Sequence, residues 1–159
     1  TVNHGGGLRK ARQRTWANPI HYAHVMGSGL VGGTPIGVHL ECGTYSTSRE
    51  FGHLPVVAGA PDLDAMAVVA EDPDVLRVMI VHRCACAGTI DLAIDLGGLK
   101  TQPEAQVLTL AGESLGDENT AEQPERIVPV ASTVQVSSGS IQLALPAFSV
   151  TRIDLPLTV

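Results

Sequence analysis

Aromatic residues are scarce: one Trp, two Tyr and two Phe make up 3% of 159 residues. A nucleic-acid surface wants a broad basic face with aromatics beside it, so that class is excluded. Basic residues are few as well. The net charge is −6, the pI is near 5.4, and Arg9, Lys10, Arg12 and Arg14 form the one basic cluster. A run of that kind near a terminus reads as a solvated tail or as a contact with another part of the same protein. No stretch is apolar for long enough to span a bilayer, and no basic–apolar–small leader opens the chain. Thr1 rather than Met stands first, so a processed product or a fragment is expected.

Cysteine is also rare. Cys42, Cys84 and Cys86 make an odd number, which argues against a disulfide framework. Cys84 and Cys86 stand two apart in what reads as a strand, so both are expected on one face. His82 is close by, but Cys-x-Cys with a single His has no recognised zinc spacing. Buried free thiols in a reducing, cytoplasmic compartment are the reading that follows.

What the chain does have is alternation. Ile141, Leu143 and Leu145 fall on one side of an extended run, and Thr151, Ile153, Leu155 and Leu157 do so after a break at Pro146. Proline removes a ladder donor, so Pro146 marks the passage from one strand to the next. Ile90, Leu92, Ile94 and Leu96 alternate with Asp91, Ala93 and Asp95, and Gly97-Gly98 ends that strand. Asp62 to Ala70 and Val75 to His82 read as a hairpin around Glu71-Asp72-Pro73-Asp74. In the second arm, Val78, Ile80 and His82 share one face and Met79 and Val81 the other. Two largely apolar faces imply a central strand covered on both sides. Further strands are expected at Ile36–Leu40, Val107–Leu110, Arg126–Val130 and Thr133–Val136, with a turn at Ser137-Ser138-Gly139.

Residues 1–19 read as irregular, and Ile20–Met26 as a short helix or a strand. Gly5-Gly6-Gly7 is no phosphate loop, since no strand precedes it and no Gly-Lys-Ser/Thr follows. Thr44–Leu54 and Gly112–Glu125 read as polar loops. Short strands separated by Gly, Pro and Ser predict an all-β fold, a two-layer β-sandwich or jelly roll with an irregular N-terminal segment. No repeat or low-complexity tract divides the chain.

Three segments carry a resemblance. The first is Pro61 to Ala70 followed by Leu76 to Arg83. The second is Leu110 to Pro129, with Asn119-Thr120 and Val128-Pro129. The third is Leu145 to Leu155, with Leu145-Pro146 and Ser149-Val150-Thr151. In this order they resemble the C-terminal part of α-L-arabinofuranosidases, retaining glycosidases that trim arabinose from plant polysaccharides. Thr34 to Ser46 is similar to the stretch that follows the family's barrel. His82 stands where the family usually has Asn, and Ala147 where Pro is common. The resemblance covers residues 34–157. It implies a β-sandwich packed against an upstream catalytic (β/α)₈ barrel.

A retaining glycosidase needs two carboxyl groups about 5–5.5 Å apart, and the family carries them on barrel strands, the acid/base in an Asn-Glu pair. This chain has no Asn-Glu pair. No catalytic, cofactor-binding or metal-ligating residue is therefore assigned to it. Glu41 and Glu50 read as solvated carboxylates. Asp91 and Asp95 lie outward, too sparse for a hard cation. Asp117, Glu118, Asn119 and Glu122 are the denser oxygen cluster, yet lack the glycine and spacing of an EF-hand and read as a solvated loop. Nothing forces His39, His53 and His82 together; His82 is expected to hydrogen-bond in a core or at an edge. Ser149 lacks a nucleophile elbow. Trp16, Tyr22 and Tyr45 read as packing residues at a domain seam.

The expected division is 1–33 as an irregular remnant of the junction with the barrel and 34–159 as the sandwich. The expected function is structural support for that barrel, without a cofactor. The expected partner is the barrel of the same protein, with homo-oligomerisation through the parent enzyme left open, and neither nucleic acid nor membrane. A stand-alone carbohydrate-binding module and an independent cupin-like metalloenzyme are the competing readings.

Overall fold

The computed structural model describes residues 7–50, 52–53, 55–71, 74–83 and 88–158. Twelve strands and one helix follow in the order β1 (Leu8–Ala11), β2 (Arg14–Ala17), α1 (Pro19–Ser28), β3 (Thr34–Ile36), β4 (Thr44–Tyr45), β5 (Ala60–Pro61), β6 (Leu63–Glu71), β7 (Asp74–His82), β8 (Ile90–Asp95), β9 (Glu104–Ala111), β10 (Val130–Ser137), β11 (Ser140–Leu145) and β12 (Ser149–Pro156). Eight strands form one antiparallel sheet in the order β3-β6-β7-β12-β9-β10-β11-β8. The fold is all-β and sandwich-like, as the alternation predicts, and the sheet makes both layers by curling over on itself.

The corner lies in β10. Val130 to Gln135 pair with β9, while Val136 and Ser137 pair with β11. One strand thus carries the ladder from the first layer into the second. Leu63, Leu76, Val78, Ile80, Ile153 and Leu155 from one flank meet Ile141 and Leu145 from the other in a single core. Ile90, Leu92 and Ile94 of β8 pack against it. Ile141, Leu145, Ile153 and Leu155 are each 1% exposed, and full burial of such a side chain contributes about 1.5–3 kcal/mol. The break at Pro146 stands between β11 and β12, but the two strands do not pair with each other. β12 enters between β7 and β9, while β11 joins β10 and β8.

The hairpin of β6 and β7 pairs from Leu63↔His82 to Glu71↔Asp74. Asp72 and Pro73 of its expected turn lie outside the described residues, as do Cys84 and Cys86. Ser138 (φ 51°) and Gly139 (φ 76°) connect β10 to β11 with both residues left-handed, the backbone a two-residue hairpin loop requires.

Three expectations are corrected and one ambiguity is resolved. The stretch 1–19 is not irregular throughout: β1 and β2 pair as a hairpin. Its residues are too polar and charged to alternate, and its order comes from contacts with a distant loop, described below. The ambiguous run Ile20–Met26 lies in α1. The strand expected over Ile36–Leu40 ends at Ile36, because Leu40 and Cys42 turn into the core beyond the short pairing with β6. Arg126–Val130 is not a separate strand: β10 begins at Val130, and the Ile127 N–H is taken by a side chain instead of a ladder.

A Cβ added at Gly139 would meet nothing within 4 Å, so only its positive φ resists substitution. Gly139→Ala is expected to cost about 1 kcal/mol, read as a lower denaturation midpoint. An unchanged midpoint would show that this turn does not set the hairpin.

Candidate functional site

The second face of the sheet, opposite the core, carries α1. Pro19 opens the helix at a position where its missing N–H is not needed. Met26 is 2% exposed and joins Leu110 and Ile127, with Tyr22, Ala23, Leu108 and Val150 around them. The apolar outer positions of β9 and β12 are thereby covered.

Charge fixes the other end of the helix. Arg152 Nη1 donates to Met26 O at 3.1 Å, and Arg77 Nη1 donates to Gly29 O at 2.7 Å. Cations suit a helix C-terminus, where carbonyls lack intrahelical partners. Asp154 stands between the two guanidiniums, 2.9 Å from Arg152 Nη2 and 3.8 Å from Arg77 Nε. Asp154 and Arg77 are directly opposed in the β12–β7 ladder, the arrangement in which opposite charges stabilise a sheet.

The loop between β9 and β10 closes the site. Asn119 is 1% exposed. Its Nδ2 donates to Ala17 O at 2.8 Å and Ile127 O at 2.9 Å, and its Oδ1 accepts from Ile127 N at 2.8 Å. Its main-chain oxygen accepts from Trp16 Nε1 at 2.8 Å. With its amide oriented to suit its neighbours, Asn18 Nδ2 also donates to Asn119 O at 3.0 Å, and Asn18 Oδ1 accepts from Arg9 Nε at 3.1 Å. Arg14 Nη1 donates to Ala121 O at 3.3 Å. The basic cluster therefore contacts another part of the same chain, the second of its two expected readings.

The expectation of a solvated loop at Asp117–Glu122 fails at Asn119 and Asp117. Asp117 Oδ2 accepts from Glu113 N at 2.7 Å and Ser114 N at 3.1 Å, and its Oδ1 accepts from Ser114 Oγ at 3.1 Å. Arg126 Nη2 lies 3.5 Å from it. The Glu113 N–H, then the Ser114 hydroxyl and N–H, and last the Arg126 guanidinium hold the Asp117 carboxyl below its usual value near 3.8, against the opposing effect of burial.

A hollow of about 270 Å³ opens where these parts meet, lined by Ile20, Ala23, Leu110, Leu115, His82 and Phe148 among others. His82 is 5% exposed and its Nε2 lies 3.1 Å from Gly88 O, so it makes the expected hydrogen bond. Ser149 is buried, its hydroxyl donating to Pro146 O at 2.6 Å. A larger cleft of about 1000 Å³ lies between β8 and β6, floored by core residues such as Leu63, Val78 and Ile80.

The remaining candidates lie apart. Glu41 is exposed beside His39, 3.1 Å away. Glu50, His53, Asp91 and Asp95 are exposed, and Asp95 Oδ1 accepts from Gly97 N at 2.9 Å. Among the described residues no group of three or more His, Cys, Asp or Glu is placed to hold a metal ion, and no helix is long and apolar enough to cross a membrane. Cys42 is half-buried and not in a disulfide. Trp16 and Tyr22 pack within the chain, as described; Tyr45 is half-buried in β4. The roles of Asn119, Arg77, Arg152 and Asp154 escaped sequence reasoning. The one usable signal was the Asn119-Thr120 pair within the second family-like segment.

A curled antiparallel sandwich with one helix and an anchored loop on its outer face is the class of domain this fold defines. The family model for the α-L-arabinofuranosidase C-terminal domain matches residues 2–149, and the chain belongs to that family. Among solved structures, the chain is similar to an α-L-arabinofuranosidase from Thermotoga maritima, with 25% identity and a TM-score of 0.86 over 99% of this chain and 33% of that one. An enzyme from Thermotoga petrophila RKU-1 gives 24% identity and a TM-score of 0.80 over 96% and 32%. One from Xanthomonas axonopodis pv. citri gives 20% and 0.81 over 98% and 30%. The chain spans about a third of the length of these enzymes. No curated protein matches it.

Asn119→Ala removes three side-chain hydrogen bonds and strands the buried Ile127 N–H. A loss of about 3 kcal/mol is expected, with faster amide exchange in both β1–β2 and residues 112–129. Exchange that quickens in one of the two alone would show that the amide does not join them. The Asp117 carboxyl has a depressed folded-state pKa, so its contribution is full above the unfolded value and fades as pH falls through the folded one. Loosening of residues 112–126 is thus expected below about pH 4, and Asp117→Asn should remove that acid-dependent step.

Proposed function

We propose that this chain is the accessory domain of a retaining α-L-arabinofuranosidase acting on arabinose-containing plant polysaccharides, and that it supports a (β/α)₈ barrel in the same polypeptide. Residues 34–159 are the sandwich in this reading, and residues 1–33 form the junction with the barrel. The observation that carries it is the coverage: nearly all of this chain superposes on about a third of each arabinofuranosidase. The geometry of the site agrees, since its polar groups are spent on holding a helix, a hairpin and a loop together. Asp154 is committed to two arginines and Asp117 to backbone N–H groups. Trp16 and Tyr22, which a sugar-binding platform would present outward, are engaged within the chain. The same reading assigns the parent enzyme to a reducing, cytoplasmic compartment and leaves homo-oligomerisation to it.

The test is an assay on an aryl α-L-arabinofuranoside. The 159-residue chain is expected to show no turnover, and a native gene product that includes an upstream barrel is expected to hydrolyse it. Turnover by the short chain that survives purification and is lost on replacing one of its own glutamates would overturn the reading.

A further inference from the structure

We infer that the core side of β7 and β12 holds an internal hydration site, one water molecule bound by His82 Nδ1, Ser149 Oγ and Thr151 Oγ1. Most of the sandwich core is apolar, yet these three polar side chains stand together on its face. His82 is buried on β7 in phase with Val78 and Ile80, and Ser149 and Thr151 are buried on β12 in phase with Ile153. The ladder sets Thr151 against Ile80 and Val150 against Val81, so its next step brings Ser149 to His82. Thr151 is then a diagonal neighbour of the imidazole, on the same face. Thr151 is 1% exposed. Its hydroxyl and His82 Nδ1 are both buried and have no hydrogen-bond partner among the described residues. Buried polar atoms are paired as a rule, with protein or with ordered water.

The chemistry of the three groups selects the ligand. A carbonyl only accepts, so His82 Nε2, 3.1 Å from Gly88 O, carries the ring proton and donates it. Nδ1 of the neutral ring is left as an acceptor. The Ser149 hydroxyl gives its proton to Pro146 O and keeps lone pairs to accept with. The Thr151 hydroxyl still has a proton to give. Two acceptors and one donor are what a single water satisfies, by donating to Nδ1 and to Ser149 and accepting from Thr151. About three bonds is the usual complement of a buried water. One imidazole with two neutral hydroxyls is no donor set for zinc or a hard cation. Space and a way in are both present. The hollow beside α1 runs round the strand ends, with Val81, Leu110 and Val150 of the outer face and His82, Ala111 and Ser149 of the core face in its wall. Ala111 is paired with Ser149 from β9, and its methyl leaves room there. The water also fixes the plane of the imidazole, and so the bond from Nε2 to Gly88 ahead of β8.

Solution NMR and denaturation of the 159-residue chain test the site. Water NOEs are expected at the Thr151 methyl and the His82 ring, with nitrogen shifts that put the proton on Nε2. Thr151→Val keeps the shape and removes the one donor. It is expected to erase those NOEs and to lower the folding equilibrium constant on the order of fivefold. In a His82→Leu background the same change is expected to cost less than about twofold, because the pair no longer shares a ligand. His82→Asn keeps a polar atom on Cγ and is expected to retain the NOE at Thr151. An unpartnered hydroxyl gains from replacement by a methyl, so a Thr151→Val chain as stable as the parent or more stable would overturn the inference. Absence of a water NOE at Thr151 in the parent chain, or its persistence at His82 in Thr151→Val, would do the same. These last two readings need no variant of His82 to fold.

Discussion

The amide of Asn119 holds three separate segments with one set of atoms. Its side chain binds Ala17 and Ile127, while its carbonyl takes the Trp16 indole and the Asn18 amide. A buried amide without partners would destabilise the fold by several kcal/mol on apolar-transfer scales. Satisfied on every side, it stabilises modestly and specifies strongly, because no other arrangement of hairpin and loop completes its bonds. Ala17 and Asn18 are the last residues before α1, so the same amide fixes where the helix begins. The two arginines then fix where it ends. α1 is thus held at both termini by polar bonds, with Met26 between them in the apolar cluster. Its position does not depend on amphipathicity of its own.

That division explains what the sequence made legible. Ile90 to Leu96 and the closing strands alternate strictly because one face meets the core and the other meets solvent or a polar layer, so period two is imposed on them. β7 was readable for a related reason: a central strand covered on both sides must be apolar on both, and the turn-like Glu71-Asp72-Pro73-Asp74 made β6 the other arm of its hairpin. The hairpin of β1 and β2 buries little. Leu8, Trp16 and Ala17 are half-buried and the rest are exposed or polar, so no period could announce it. Residues 112–129 are ordered by side-chain bonds to backbone groups, through Asp117 to Glu113 and Ser114 and through Asn119 to Ile127. Bonds of that kind leave only a pattern of Asn, Asp and Ser, which is also the pattern of a solvated loop. Ile36 to Leu40 alternates as a strand does, but an edge run whose side chains reach the core needs no full ladder.

The charged groups on the outer face were hidden by the same rule that revealed the core. Alternation sets Arg77 and Arg152 opposite the buried positions, on a side where the sequence does not say what covers them. Sequence cannot say that a helix lies there with its carbonyls toward them. The Arg77–Asp154 pair became visible only once the register opposed the two residues.

The three family-like segments converge although they are far apart along the chain. β7, β12 and β9 are consecutive in the sheet, and Val81 and Leu110 both pair with Val150 between them. His82, Leu110, Ile127, Phe148 and Val150, drawn from all three segments, line the hollow beside α1. The segments that resemble arabinofuranosidase C-terminal domains thus run from the core of the sandwich to the hollow beside α1.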